Sequence, residues 1–152
     1  EIGHIHVMDS ETEPCNCGNC GCLEQYTSAT GIVRLAKLRL AEDDKSSVLR
    51  ECANISAKTV FDAVKDGDEL AIEVAERFGQ ILGKALAGIA AVVNPEIFVI
   101  GGGVSKAGPI LLDYIQKNYM QAAFTGARGA RFSLATLGND AGIYGAAKLV
   151  LD

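Results

Sequence analysis

The chain is organised around the stretch Cys15-Asn16-Cys17-Gly18-Asn19-Cys20-Gly21-Cys22-Leu23-Glu24. It holds four thiols within eight residues, and its two glycines let the backbone fold back so that several sulfur atoms can converge on one point. Ordinary packing does not explain such clustering in a chain from a reducing compartment. The stretch therefore predicts a metal site.

Zinc is the metal that these residues favour, because Zn²⁺ prefers four tetrahedral thiolate and imidazole ligands. One ligand set is Cys15, Cys17 and Cys22 with a histidine from upstream, and the competing set is all four cysteines, including Cys20. Either set would be closed to water, so the site is expected to hold a loop in place and to be structural.

The spacing of the residues does not decide which histidine supplies the fourth metal ligand. His4 and His6 lie in an alternating stretch that predicts a short strand over residues 2–7, and side chains two residues apart share one face of a strand. Both imidazoles are therefore candidates for the fourth position.

Composition limits the classes of function. The chain has 152 residues, is 49% hydrophobic and carries a net charge of -5, which fits one acidic α/β domain and gives no basic patch for nucleic acid or an anionic membrane. No apolar stretch approaches the roughly 20 residues that span a bilayer. Five cysteines, an odd number, favour a reducing compartment, and we expect the cytoplasm.

The second half of the chain alternates strands with helices. A long helix is predicted after Asp68, buried toward its end from Ala85 and stopped by Asn94-Pro95, with glycines kept for close backbone approach at positions 79, 83 and 88. A buried strand over residues 97–100 then runs into three glycines and a helix over residues 109–122, and a second strand is expected over residues 132–135. This order indicates an α/β fold.

The residues alone allow two interpretations for each of two further features. Gly101, Gly102 and Gly103 could let a phosphate or ribose approach the backbone, or could form a plain tight turn. Asn139-Asp140 precedes a last helix and fits a helix cap better than a catalytic pair.

These motifs resemble the ROK family of repressors, uncharacterised frames and sugar kinases. The resemblance rests on Glu1-Ile2-Gly3-His4 followed by Cys15-x-Cys17-Gly18-x-x-Gly21-Cys22-x-Glu24, which is similar to the two signature motifs of the family. It is supported by Asn94-Pro95-Glu96-Ile97-x-Val99-Ile100-Gly101-Gly102-Gly103, similar to the adenosine-binding segment of the family. It is also supported by Leu137-Gly138-Asn139-Asp140-Ala141-Gly142-x-x-Gly145-Ala146-Ala147, which resembles the usual C-terminal ending of the family.

The resemblance implies the actin-like, ribonuclease H-like ATPase fold and a kinase that transfers phosphate from ATP, with Mg²⁺, to the 6-hydroxyl of glucose. His4, Cys15, Cys17 and Cys22 would bind structural Zn²⁺, which selects His4 over His6 and leaves Cys20 aside. Glu1, His4 and Glu24 would bind sugar hydroxyls, and Gly101, Gly102 and Gly103 would line the nucleotide pocket. A homodimer or tetramer is implied as well.

Within this picture the chain is expected to be the C-terminal half of the kinase. Residues 1–24 would form the zinc and sugar segment and residues 94–152 the nucleotide part. The family's Asp-Gly-Gly-Thr phosphate loop and catalytic Asp precede the first motif, so no catalytic residue is assigned in this chain, which alone would be inactive. The alternatives are a sugar-sensing repressor, a related hexose or N-acetylhexosamine kinase, and a zinc-stabilised interaction module.

Overall fold

The structure is a computed structural model that describes residues 1–151, with the side chain of Asn139 outside that description. The predicted domain over residues 1–152 and the nucleotide part over residues 94–152 therefore extend one residue, Asp152, beyond the described range. The helices are α1 (Glu24–Thr27), α2 (Ala29–Glu42), α3 (Ala57–Lys65), α4 (Glu69–Val93), α5 (Ile110–Ala122) and α6 (Ala141–Leu151), and the strands are β1 (Ile97–Ile100) and β2 (Arg131–Leu134). Short 3₁₀ helices cover Ile2–His4, Val48–Arg50, Gly103–Ala107, Thr125–Ala127 and Gly138–Asp140.

The strand–glycine–helix–strand order is confirmed. β1 and β2 pair in parallel, from Ile97 opposite Arg131 to Ile100 opposite Leu134, and α5 forms the crossover between them. The strands are less buried than expected, because Ile97 and Val99 are 39% and 60% exposed and only the opposite face of β1 packs on the core. The prediction of a fully buried strand is therefore wrong, while the α/β class holds.

Helix α4 forms the centre of the core and begins as predicted. The Asp68 side chain accepts a hydrogen bond from the N–H of Ala71 at 2.9 Å, which is an N-cap. Asn94 ends the helix with a φ of 42° in the left-handed region. The last turn is not buried as expected, since Val92 and Val93 are 85% and 65% exposed.

Two glycines of α4 allow α5 to come close. A Cβ at Gly79 would lie 2.5 Å from the carbonyl oxygen of Tyr114, and a Cβ at Gly83 would lie 2.7 Å from the nitrogen of Tyr119. The predicted close approach is therefore confirmed at these two positions. It is wrong at Gly88, where nothing lies within 4 Å of such a Cβ.

The first residues do not form the predicted strand over residues 2–7. Ile2–His4 is a 3₁₀ helix, and only His6 pairs in a strand-like way, through an isolated antiparallel bridge to Cys22. The alternating pattern was misleading because a strand needs a partner over several residues, and here only one residue finds one. His4 and His6 consequently do not share a face.

None of the helices in the described part of the chain is both long enough and apolar enough to cross a membrane.

Candidate functional site

Four side chains from the first 22 residues meet at one point. The ligand atoms of His4, Cys15, Cys17 and Cys22 all lie within 4.8 Å of one another. The Sγ atoms of Cys17 and Cys22 are 3.5 Å apart, and Cys15 Sγ is 3.8 Å from His4 Nδ1. The structure thus brings together the set of three cysteines and one histidine.

The backbone of the cysteine loop (residues 15–22) folds back as its glycines allow. Gly18 and Gly21 have φ values of 90° and 76°, in the region that favours glycine. A Cβ at Gly21 would lie 2.3 Å from the carbonyl oxygen of Met8. The loop is tied to the preceding segment by the hydrogen bond from the N–H of Val7 to the carbonyl of Gly21, at 2.8 Å. The two glycines are therefore needed for the thiols to converge.

These distances fit a tetrahedral zinc ion. Zn–S bonds of about 2.3 Å and a Zn–N bond of about 2.05 Å at tetrahedral angles require S···S edges of about 3.8 Å and S···N edges of about 3.6 Å. The observed 3.5 Å and 3.8 Å are close to these edges. The chemistry of the four donors and these two distances fit zinc.

The protein's own groups hold the three thiols at unequal pKa values. Backbone hydrogen bonding at Asn19, followed by the contact with Cys22, lowers the pKa of Cys17, while burial raises that of Cys22. The pKa of Cys15 is raised to about 12, because backbone hydrogen bonding at Cys17 favours the thiolate but is outweighed by the hydrogen bond to Glu24 and by burial. Three thiolates here would need a cation as counter-charge.

His6 and Cys20 lie outside the cluster. The ring of His6 contacts the carbonyl of Cys20 at 3.0 Å and the carboxylate of Asp9 at 2.8 Å. The thiol of Cys20 donates to the carbonyl of Thr12 at 3.5 Å. The set of four cysteines is therefore not assembled, and the His4 alternative is the one that the geometry supports.

The predicted sugar-binding side chains surround this cluster. Glu24 opens helix α1, and its Oε1 accepts a hydrogen bond from the Cys15 thiol at 2.8 Å. The Nε2 atom of His4 lies 3.4 Å from a carboxylate oxygen of Glu1, whose side chain is 94% exposed. His4 therefore turns Nδ1 toward the thiols and Nε2 toward Glu1, which leaves the two nitrogens with different partners.

One cavity joins Glu24 to the triple-glycine turn (Gly101, Gly102 and Gly103). It has a volume of about 330 Å³ and is lined by Glu24, the start of α2 and all three glycines. Small residues permit this approach, since a Cβ at Gly103 would lie only 3.2 Å from the Cβ of Ala29. The turn follows the carboxyl end of β1, where ligands bind in open α/β sheets.

The glycine turn itself is strained for other residues. Gly102 has a φ of 76°, and its carbonyl accepts a hydrogen bond from the Ser105 hydroxyl at 2.8 Å. A Cβ at Gly101 would lie 3.1 Å from the Cβ of Ala135, beyond the end of β2. Space and backbone conformation both favour glycine here, so the backbone of the turn is open toward the cavity.

Asn139-Asp140 lies apart from these features in sequence. Asp140 ends the 3₁₀ helix Gly138–Asp140, which leads directly into α6. The side chain of Asn139 lies outside the described residues. Capping of α6 by Asn139-Asp140 therefore stays a prediction.

Sequence reasoning missed a buried polar cluster beside α1. Apart from Pro14, the loop over residues 9–14 carries acidic and small polar side chains, which usually face solvent, yet the side chain of Glu11 is 7% exposed. Its Oε2 accepts a hydrogen bond from the Tyr26 hydroxyl and lies 2.7 Å from Arg34 Nη2. No local sequence pattern predicts these contacts, because the two partners of Glu11 are 15 and 23 positions away in the chain.

Comparison with known proteins places this geometry in a family. The glucokinase of Halalkalibacterium halodurans is 45% identical to this chain over 154 residues, covering 99% of this chain and 47% of that protein. A crystal structure of a ROK family glucokinase from Streptomyces griseus in complex with glucose and AMPPNP superimposes with a TM-score of 0.83 at 34% identity, covering 98% of this chain and 50% of that chain. The chain therefore spans about half the length of these relatives.

The chain is also similar to transcriptional regulators. The DNA-binding transcriptional dual regulator NagC of Escherichia coli is 38% identical over 117 residues, which cover 76% of this chain and 28% of NagC. The sequence pattern of the ROK family matches residues 1–152, the whole of the chain. The predicted resemblance is confirmed, and this chain shares its α/β fold with a kinase of known structure. The chain belongs to the ROK family.

Proposed function

We propose that this chain forms the C-terminal half of a kinase that transfers the γ-phosphoryl group of ATP, with Mg²⁺, to the 6-hydroxyl of glucose or a related hexose. The observation that carries the proposal is the cavity shared by Glu24 and the triple-glycine turn. A sugar hydroxyl held by a carboxylate and a nucleotide held by a glycine backbone would meet there, and such proximity is the main source of catalysis in phosphoryl transfer.

The glucokinase relatives support the same reaction. The Streptomyces griseus neighbour was solved with glucose and a nucleotide analogue bound, and this chain matches half of it. The family's phosphate loop and catalytic base would come from the other half of the kinase, so this chain supplies binding and not the proton acceptor. The protein is proposed to act in the cytoplasm as a homodimer or tetramer.

In this proposal Glu1, His4 and Glu24 bind sugar hydroxyls. Carboxylates and imidazole suit this purpose because they are left unpaired when a hydroxyl is missing or inverted. His4 can serve both functions, since its Nδ1 faces the thiols at 3.8 Å and its Nε2 faces Glu1 at 3.4 Å. Binding a metal through one nitrogen fixes the orientation of the other.

His4, Cys15, Cys17 and Cys22 would hold Zn²⁺. When bound, the ion would cross-link the cysteine loop to the first residues, which is a structural role. Glu24 lies two residues beyond Cys22, so fixing the loop also restricts the backbone from which the carboxylate projects. The chain's own contribution is orientation of sugar-binding groups.

A second candidate is a sugar-sensing repressor, favoured by the 38% identity to NagC. It would use the same sugar site without phosphoryl transfer. A hexosamine kinase would differ only in which sugar is accepted.

The test is to mix the full-length protein with ATP, Mg²⁺ and glucose, and to measure glucose 6-phosphate by a coupled dehydrogenase assay. We expect phosphorylation of glucose, and N-acetylglucosamine in parallel tests the related kinase. Binding of glucose by calorimetry without phosphorylation would overturn the kinase and support the repressor. Metal binding with neither sugar nor ATP bound would leave only the interaction module.

A further inference from the structure

The carboxylate of Glu11 is buried, and both of its oxygens accept hydrogen bonds. Its Oε2 accepts the Tyr26 hydroxyl and lies 2.7 Å from Arg34 Nη2. Its Oε1 accepts the backbone N–H groups of Thr12 at 3.0 Å and Glu13 at 2.9 Å. Four donors satisfy this buried carboxylate, which fixes its position more strongly than an exposed ion pair would. Among the described residues, the Nη1 atom of Arg34 is buried and has no hydrogen-bond partner, so the carboxylate and not the whole network is satisfied.

One of these donors belongs to the helix that carries Glu24. Helix α1 has four residues, Glu24–Thr27, too few to be stable without tertiary contacts. Tyr26 is 5% exposed and connects α1 to Glu11. The direction of the Glu24 side chain therefore depends on what anchors this single helical turn.

Arg34 extends the network to helix α2. Its guanidinium lies 5.4 Å from the centre of the Tyr26 ring and also contacts the carboxylate of Glu13 at 3.1 Å. The loop before the cysteines, α1 and α2 are thus joined through three side chains. None of the three belongs to the cysteine and histidine cluster.

We propose that Glu11 is a positioning residue for the sugar site, which holds α1 through Tyr26 and so helps to aim the carboxylate of Glu24, in addition to the contact of that carboxylate with the Cys15 thiol. The inference rests on the proposed function of Glu24. It differs from a plain stabilising role, which would change the fraction of folded protein but not the sugar affinity of the molecules that remain folded.

The test replaces Glu11 with Gln in the full-length protein, which keeps the shape but loses the charge and half of the acceptor capacity. We expect the Kd for glucose to rise about tenfold, the scale of one lost hydrogen bond at the site. The KM for ATP and the zinc content per chain should stay within about twofold of the parent protein.

The matched control is Glu13→Gln. Glu13 also contacts Arg34, but its side chain is 72% exposed, so the Kd for glucose should change by less than about twofold. Tyr26→Phe removes only the hydroxyl and provides a second variant if Glu11→Gln does not fold. It should raise the Kd about threefold, and the double variant should be no worse than Glu11→Gln alone.

Three results would overturn the inference. They are an unchanged glucose Kd in folded Glu11→Gln or Tyr26→Phe protein, an equal rise in the KM for ATP, and additive effects in the double variant. A parent protein that binds no hexose would overturn the proposed function together with this inference, whereas normal binding by the parent and by both variants would overturn the inference alone.

Discussion

Adding one methyl group at two positions of helix α4 should have opposite effects on stability. At Gly83, an alanine Cβ would lie 2.7 Å from the nitrogen of Tyr119 and 2.9 Å from the carbonyl carbon of Asn118, so it would collide with the backbone of α5. At Gly88, nothing lies within 4 Å of the added atom.

Helix α5 cannot easily retreat from such a collision. Tyr119 is 0% exposed, its hydroxyl donates to the carbonyl of Ala127 at 2.6 Å, and its ring packs edge-on against Phe98 and Phe132 at centroid distances of 5.6 and 5.1 Å. Moving α5 would therefore also displace both strands. Because the triple-glycine turn lies between β1 and α5, this contact also supports the glycine-lined side of the cavity.

The magnitudes follow from two opposing effects. Overpacking destabilises by about 3 kcal/mol when the neighbour is rigid backbone, while replacing a helical glycine with alanine stabilises by about 1 kcal/mol. Gly83→Ala should therefore lower the free energy of unfolding by about 2 kcal/mol, and Gly88→Ala should raise it by about 1 kcal/mol. At about 2–4 °C per kcal/mol, the two Tm values should differ by roughly 6–12 °C.

The assay is thermal unfolding followed by circular dichroism, with urea unfolding to obtain the free energies. Gly88→Ala serves as the matched control, since it makes the same substitution in the same helix. A Gly83→Ala protein as stable as the parent would refute the close approach of α4 and α5, and equal losses in both variants would refute the assignment of the effect to α5.

Three further outcomes are expected. Cys17→Ser should abolish stoichiometric zinc in protein purified without added metal, whereas Cys20→Ser should retain about one zinc per chain; equal zinc content in both would contradict the ligand set. Hydrogen bonding from Tyr26, with further donors, lowers the pKa of Glu11 from 4.5 to about 2, so its stabilising contribution is present above pH 4.5 and is lost as the pH falls from 4.5 toward 2. The difference in unfolding free energy between the parent protein and Glu11→Gln should therefore shrink over that range, and a constant difference would contradict the assignment. Gly103→Val should weaken ATP binding by at least tenfold, because the added side chain would contact Ala29 and narrow the cavity. Unchanged ATP affinity would contradict the assignment of the turn to the nucleotide site.

Local signals predicted the second half of the chain well. The β-branched run of β1, the triple glycine and the amphipathic α5 each carry their own pattern, and the structure follows them within one residue or two. The close contacts at Gly79 and Gly83 were also predictable from the sequence, because glycine inside a helix lowers its stability and usually occurs where another backbone packs closely. Burial of β1 and the end of α4 was overestimated, because apolar composition alone does not say what covers a surface.

The candidate site was predictable only in part. Residues alone gave the thiol cluster but not the histidine, and the family resemblance was needed to choose His4. Alternation over residues 2–7 suggested a strand, while the real segment is a 3₁₀ helix followed by one bridge to Cys22. Glu11 was missed because its partners, Tyr26 and Arg34, are distant in sequence and each looks ordinary in its own segment.

The measurement that tests the account most directly is glucose binding to the full-length protein by calorimetry, comparing Glu24→Gln with the exposed control Glu51→Gln. If Glu24 binds a sugar hydroxyl through its charge, Glu24→Gln should raise the Kd by about 10- to 100-fold, as expected for a charged hydrogen bond. It should leave the zinc content unchanged, and Glu51→Gln should bind glucose normally. Normal glucose affinity in Glu24→Gln protein would contradict the central claim that this carboxylate, held between the cysteine loop and the triple-glycine turn, recognises the sugar.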